Sequence, residues 1–379
     1  MRFRPFLFCN LIAWIKNFGQ VFAASKSLSQ WPKLRLPLKK TIDTSKQNFN
    51  CFHNSVTAVL NYCASDVTFI KTVRDLSGTD GLLEGAKWEY VEIPIANGRE
   101  EGERVTLDRN GFELISPHNI SELGLNFLDS KVVVDNYYTI CEKLLKEVTG
   151  AKIVKAFDHN VRSAQRPGEQ LINGGNTVIQ QPAGIVHNDF TCISAARRLQ
   201  QLAMPPKAND VLRLLEPILQ QQDVDQALQG KRRYAFINVW RNIRQEPVEI
   251  TPLACCDAQS NCLDDLITFQ IVYSDRIGEN FFVKHSSKHQ WKYFPHMLMD
   301  EALLIKQWDS AGGIGRGNHK DFDPTTTMKD QNKHGKDKTM STFAIHSAFL
   351  DQNSPKDAPP RESIEVRCVL MWDEEDDNA

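Results

Sequence analysis

The sequence predicts a mainly β chain with flanking helices, an α+β protein built on a β-sandwich or jelly roll. Three observations carry that expectation. Many short segments alternate apolar and polar side chains with the period of two that a half-buried strand requires. One interval, 193–230, breaks this pattern with helical periods. No regular strand–helix alternation recurs, which argues against a parallel α/β sheet.

Taken in order, residues 1–75 show no clear pattern and are expected to form an N-terminal extension. Their start, "MRFRPFLFCNLIAWIKNFGQVFAAS", has a basic end and a short apolar run, loosely like a secretory signal. Lys16 interrupts that run too early for a membrane span, and the expected location is cytoplasmic. From Trp88, "WEYVEIPI" alternates as a strand, and "ERVTLDRNGFELI" reads as two short strands around an Asn-Gly turn. "DNYYTICEKLLKEVTG" places Tyr137, Cys141, Leu144, Leu145 and Val148 on one helical face, with Gly150 as the stop. "AKIVKAFDHNVR" follows as a strand.

The helical interval opens with "ISAARRLQQLAM", which ends at Pro205-Pro206. Its second part starts at an Asn209 or Asp210 cap, is kinked by Pro217 and stops at Gly230. Strands resume in "YAFINVW", "LITFQIVY", "NFFVKH" and the second half of "HMLMDEALLIKQWDS". Residues 311–340 are rich in glycine and lysine and almost without apolar side chains, as expected of a long exposed loop. "STFAIHSAF" and the strand "RESIEVRCVLMW" close a domain over 76–372, and 373–379 form an acidic tail.

A formal net charge of -2 across 379 residues gives no electrostatic case for nucleic acid or an anionic membrane. Nine scattered cysteines do not form a disulfide framework, and Cys255, Cys256 and Cys262 lack partners at zinc-finger spacing. Free thiols in a reducing compartment fit better. "GGIGRG" matches a dinucleotide fingerprint only weakly, without the strand before it or the helix after it.

The chemistry is expected at "VHNDFT". In a strand His187 and Asp189 share a face and Asn188 opposes them. Two histidines and one carboxylate leave coordination positions open, the donor set of non-haem iron oxygenases. His285, His289, His296, His319, His334 and His346 follow. His319 and His334 fall in the polar loop, a poor place for a rigid ligand, whereas His346 sits in the apolar "TFAIHSAF". On the last strand Arg361, Ser363, Glu365 and Arg367 share one face, and Ile364, Val366 and Cys368 the other. Two arginines and a hydroxyl on a polar face suit a dicarboxylate cosubstrate. Singly, each feature is commonplace: HxD pairs are mostly hydrogen-bonded, and Arg-x-Ser mostly marks an exposed edge. Their conjunction and order point to an iron site with a carboxylate cosubstrate. Trp240, Arg241, Trp291 and Tyr293 are further pocket candidates, although core packing explains most such residues.

"FDHNVR", "VHNDFT", "INVWR", "PLACCDAQS", "VKHSSKHQWKYFPHMLMDEALLIKQWDS", "HSAFLD" and "DAPPRESIEVRCVLMW" together resemble the fungal AsaB-like, or CmcJ-like, hydroxylase/desaturase family, over about residues 80–372. The resemblance implies a double-stranded β-helix (jelly-roll) core and Fe(II)- and 2-oxoglutarate-dependent oxidation, often in secondary metabolism. It implies His187, Asp189 and His346 as iron ligands and Arg361 with Ser363 as the cosubstrate clamp, Arg367 remaining an alternative or additional anchor. The implied partners are dioxygen and a small hydrophobic substrate, hydroxylated or desaturated. The N-terminal 75 residues and the 311–340 loop depart from the family pattern. Two other classes stay open on the residues alone: a divalent-metal hydrolase on the same triad, and a non-catalytic β-sandwich binding protein.

Overall fold

The computed structural model describes residues 55–73, 82–100, 104–115, 119–174, 177–206, 216–272, 277–313 and 340–373. Two sheets form a jelly-roll core. The larger has nine strands in the order β1 (Ser55–Cys63), β3 (Trp88–Asn97), β11 (Trp291–Tyr293), β8 (Leu253–Cys256), β13 (His346–Ala348), β6 (His187–Asn188), β10 (Ile277–Val283), β9 (Leu266–Val272) and β2 (Ile70–Val73). The smaller has five, in the order β4 (Phe112–Ile115), β12 (Ala302–Asp309), β7 (Tyr234–Asn242), β14 (Glu362–Met371) and β5 (Ile153–Ser163). Most neighbours are distant in sequence, so the chain crosses repeatedly between sheets instead of folding as a meander.

β14 lies one strand in from the edge of the small sheet, antiparallel to the edge strand β5 on one side and to β7 on the other. Its two faces separate as the alternation predicts. Ile364, Val366, Cys368 and Leu370 join one apolar cluster with Val154, Ala156, Ile237 and Val239. Helix α2 (Tyr138–Thr149) closes that cluster with Cys141, Leu144 and Leu145. Burial of each valine, leucine or isoleucine among them contributes about 1.5–3 kcal/mol. The other face of β14, bearing Ser363, Glu365 and Arg367, turns toward the cleft between the sheets.

Several expectations need correction. The sheet begins before residue 76: β1 and β2 lie within the segment expected to be an extension. Val56, Ala58, Leu60 and Tyr62 alternate with Ser55 and Thr57 in β1, a pattern weakened by small residues. Residues 1–54 lie outside the described residues. "ERVTLDRNGFELI" holds one strand, not two. Leu107–Asn110 forms a short helix, α1, capped by Thr106 and ended by Gly111 in the left-handed region (φ 84°). A Cβ at Gly111 would also meet Ala344 Cβ at 3.0 Å, so glycine meets both a dihedral and a packing demand. Val148 is exposed, not on the buried face of α2. α2 does stop at Gly150 (φ 67°).

In the helical interval α3 (Cys192–Leu202) starts one residue earlier than expected, at a Thr191–Ser194 capping box. A second helix, α4 (Gln221–Leu228), begins beyond Pro217, which therefore precedes a helix and does not kink one. The Asn209 and Asp210 caps, the 314–339 part of the polar loop with His319 and His334, and residues 374–379 lie outside the described residues. The seven described cysteines are free thiols. Among the described residues no helix is long and apolar enough to cross a membrane.

Candidate metal centre

His346 pairs directly with His187 across β13 and β6. Antiparallel partners face the same side, so both imidazoles enter the cleft, with ring centroids 4.4 Å apart. Asp189 follows β6 by one residue and turns the same way, its Oδ1 lying 3.8 Å from His187 Nε2. One ligand atom from each of the three residues falls within 4.8 Å of the others.

Each donor is oriented by a neighbour. His187 Nδ1 contacts the Ile185 carbonyl at 2.7 Å and His346 Nδ1 the Ala344 carbonyl at 3.2 Å. A carbonyl only accepts, so each Nδ1 carries the proton and each Nε2 presents its lone pair to the cleft. Asp189 Oδ2 accepts from Asn238 Nδ2 at 3.2 Å and from Arg367 Nε at 3.4 Å, leaving Oδ1 on the imidazole side. The Asp189 backbone N–H donates to Gln307 Oε1 at 3.1 Å. Asn188, on the opposite side of β6, is anchored by donating to the Phe190 and Gln307 carbonyls.

The electrostatics suit a cation. Burial lowers both imidazole pKa values, with His346 adding to the shift on His187, which falls to about 4. Both rings are therefore neutral near pH 7. Burial alone would raise the Asp189 pKa, but the Arg367 charge above all, with the hydrogen bond from Asn238, outweighs it, and the carboxylate is held ionised.

On the facing strand the two arginines differ. Arg367 is spoken for: its Nη1 donates to Asp158 at 2.8 Å, its Nε reaches Asp189, and its Nη2 lies 3.4 Å from Glu365. Arg361 has no carboxylate partner among the described residues. It is 2% exposed, donates one bond to the Thr251 carbonyl at 2.6 Å, and lies over the Trp240 ring at 5.5 Å. Its Nε and the neighbouring Ser363 Oγ are buried without a hydrogen-bond partner. Burial, and then the like charge of Arg162, push this guanidinium down to about 9, leaving a cation with little to balance it.

Trp240 faces the cleft, in register with Glu365. Arg241 points the other way, bound to Tyr137 Oη at 2.7 Å and to the Met299 carbonyl at 2.6 Å. It is a structural tie to Tyr137, at the end of the π-helical turn Val133–Tyr137 that leads into α2, and not a pocket residue. Trp291 and Tyr293 pair with Cys256 and Ala254, whereas His346 pairs with Cys255. They therefore occupy the face opposite the triad, where Trp291 Nε1 donates to Tyr62 Oη and Tyr293 packs edge-on against Phe349. Sequence reading missed Asn238 and Gln307, which hold Asp189, and Arg162, which joins the cleft. Polar residues spaced two apart in "FDHNVR" (Asp158, Asn160, Arg162) were the available signal for the last.

A family model described as "Oxidoreductase/YMDC permease-like domain" matches residues 69–335 and 330–371. The hydroxylase/desaturase CTB9 of Cercospora beticola is 30% identical over 316 residues, covering 79% of this chain and 82% of that protein. This chain belongs to that hydroxylase/desaturase family. An "uncharacterized protein in dcmA 3'region" of Methylophilus leisingeri is 40% identical over 180 residues, 46% of this chain and 81% of that one. The solved structure of the iron and alpha-ketoglutarate-dependent endoperoxidase NvfI superposes with a TM-score of 0.62 at 22% identity, covering 84% of this chain and 98% of that one. That likeness confirms the jelly-roll fold.

Proposed function

We propose that this protein is an Fe(II)- and 2-oxoglutarate-dependent oxygenase that hydroxylates or desaturates a small, largely apolar metabolite. The reading is carried by one conjunction: two neutral imidazoles and an ionised carboxylate beside Arg361 and Ser363, two buried groups with unmet hydrogen-bonding capacity. The related hydroxylase/desaturase proteins support it. A metal-dependent hydrolase on the same triad would leave the Arg361 charge unexplained.

His187 Nε2, His346 Nε2 and an Asp189 oxygen would hold Fe(II), and Arg361 with Ser363 the far carboxylate of 2-oxoglutarate. Bound together, iron and cosubstrate supply the two-electron oxidation of a substrate C–H bond by dioxygen, with succinate and carbon dioxide as co-products. The chain's own part is positional. The Ile185 and Ala344 carbonyls fix the imidazole tautomers, and Arg367 with Asn238 keeps Asp189 ionised and aimed. Trp240 walls the arginine on its apolar side and excludes water there. The described free thiols support a cytoplasmic location.

The deciding experiment is an anaerobic titration of metal-free protein with Fe(II) and 2-oxoglutarate, followed by the visible charge-transfer absorption of the chelate. The absorption is expected in the wild type and absent in Asp189→Ala and His346→Ala. Arg361→Ala should raise the cosubstrate concentration needed by roughly tenfold or more, as loss of a charged hydrogen-bond partner costs about 1.5–3 kcal/mol. A folded wild-type protein that gives no absorption would end the oxygenase reading.

A further inference from the structure

We propose that Arg162 is a second carboxylate receptor of the cleft, separate from Arg361, and that it receives a carboxylate of the organic substrate. The substrate class is then an apolar carboxylic acid. The assignment rests on the oxygenase reading for what Arg361 holds, but it is tested apart from it.

Strand register places the residue. Arg162 on β5 lies directly opposite Ser363 on β14, as Asn160 lies opposite Glu365 and Asp158 opposite Arg367. All six therefore face the cleft. Of the cleft's three arginines, Arg367 is neutralised by Asp158, Asp189 and Glu365. Arg361 sits at the buried end of the row beside Ser363. Arg162 is half-buried and makes one hydrogen bond, from Nη1 to the Gln181 carbonyl at 2.8 Å. No carboxylate of the described residues lies within ion-pairing distance of it.

Burial lowers its pKa against the favourable charges of Glu365 and Asp189, and its own charge adds to burial in lowering that of Arg361. A guanidinium is kept in such a place, at a cost in desolvation and in repulsion from Arg361, when an anion joins it. The cosubstrate does not meet this need. Its far carboxylate is matched to the buried Arg361 and Ser363, and the charge of its near one is met by the metal it chelates. Gln181 is exposed, so Arg162 reaches toward the solvent side of the cleft, where an organic acid would enter.

The probes are 4-phenylbutyrate and its amide, titrated calorimetrically into the protein with and without Fe(II) and 2-oxoglutarate under anaerobic conditions. Wild type should bind the acid at least tenfold more tightly than the amide. Arg162→Met should abolish that preference while 2-oxoglutarate binding stays within about twofold, and Arg162→Lys should restore part of it. Equal binding of acid and amide by the wild type, or a preference that survives in Arg162→Met, would overturn the proposal. So would a tenfold loss of 2-oxoglutarate affinity in Arg162→Met, which would give the receptor to the cosubstrate. Should the wild type form no iron chelate, the oxygenase reading falls, while the acid-over-amide preference of the metal-free protein and its loss in Arg162→Met still decide the role of Arg162.

Discussion

At the residue scale, the centre depends on side chains that hold other side chains. His159 shows how this differs from ligand chemistry. It sits on β5 facing away from the cleft, fully buried, with Nδ1 2.8 Å from Tyr138 Oη and Nε2 3.4 Å from Ser130 Oγ. Burial lowers its pKa from 6.5. Because the folded value lies below the unfolded one, the unfolded chain takes up the proton first. The stability this neutral ring contributes is therefore complete above about 6.5 and is lost as the pH falls below it. Thermal midpoints of the metal-free protein at pH 7.5 and 5.5 should show a fall that is smaller in His159→Asn than in the wild type. An identical fall in both would mean that His159 is not a source of the acid limb.

At the scale of elements, alternation along β14 and β5 builds the site, because it sends one set of residues to the α2 side and the other to the cleft. The element least legible in the sequence is α1. Asn110-Gly111 has the composition of a hairpin turn, yet here it ends a helix, with Gly111 N–H donating to the Leu107 carbonyl. Thr106 caps that helix and Asn110 donates to Asp257 at 2.9 Å, contacts that a local reading of the sequence does not contain. Gly111→Ala should cost about 1–2 kcal/mol from the left-handed backbone alone, with crowding against Ala344 adding to it. Chemical denaturation would register this as a lower midpoint at unchanged slope. A variant as stable as the wild type would remove the strain argument.

At the scale of the whole molecule, one buried ion cluster ties distant segments together. Asp309 at the end of β12 takes a two-pronged contact from Arg233 (2.6 and 3.0 Å) and one from Lys306 at 2.9 Å. Lys306 also donates to the Ser341 carbonyl at 3.2 Å, and the Ser341 N–H donates to the Asp108 carbonyl at 2.6 Å. The cluster thus joins the small sheet, α1 and the segment that leads into β13 and His346. Asp309→Ala strands a buried ammonium and should destabilise by roughly 3–5 kcal/mol. Asp135→Ala, which removes the exposed Lys131–Asp135 pair, should leave the melting midpoint where it is. If the two variants melt alike, Asp309 is not the tie described. The same contacts suggest that loss of Asp309 also weakens metal binding, since β13 carries a ligand.

By itself the sequence determined the strand-rich class, the two faces of β14 and the identity of three candidate ligands, because these rest on period-two alternation and on residue chemistry that travels with the chain. Arg361 and Arg367 look alike there, two arginines on one strand face. Only the tertiary structure separated them, since Asp158 on β5 and Asp189 just beyond β6 reach Arg367, whereas Arg361 has no carboxylate partner among the described residues. It likewise sent Arg241, Trp291 and Tyr293 away from the triad and brought Arg162 into the cleft. The physical reason is the same in each case: a side chain's face follows from local alternation, but what stands opposite that face is set by pairing between strands that lie far apart along the chain.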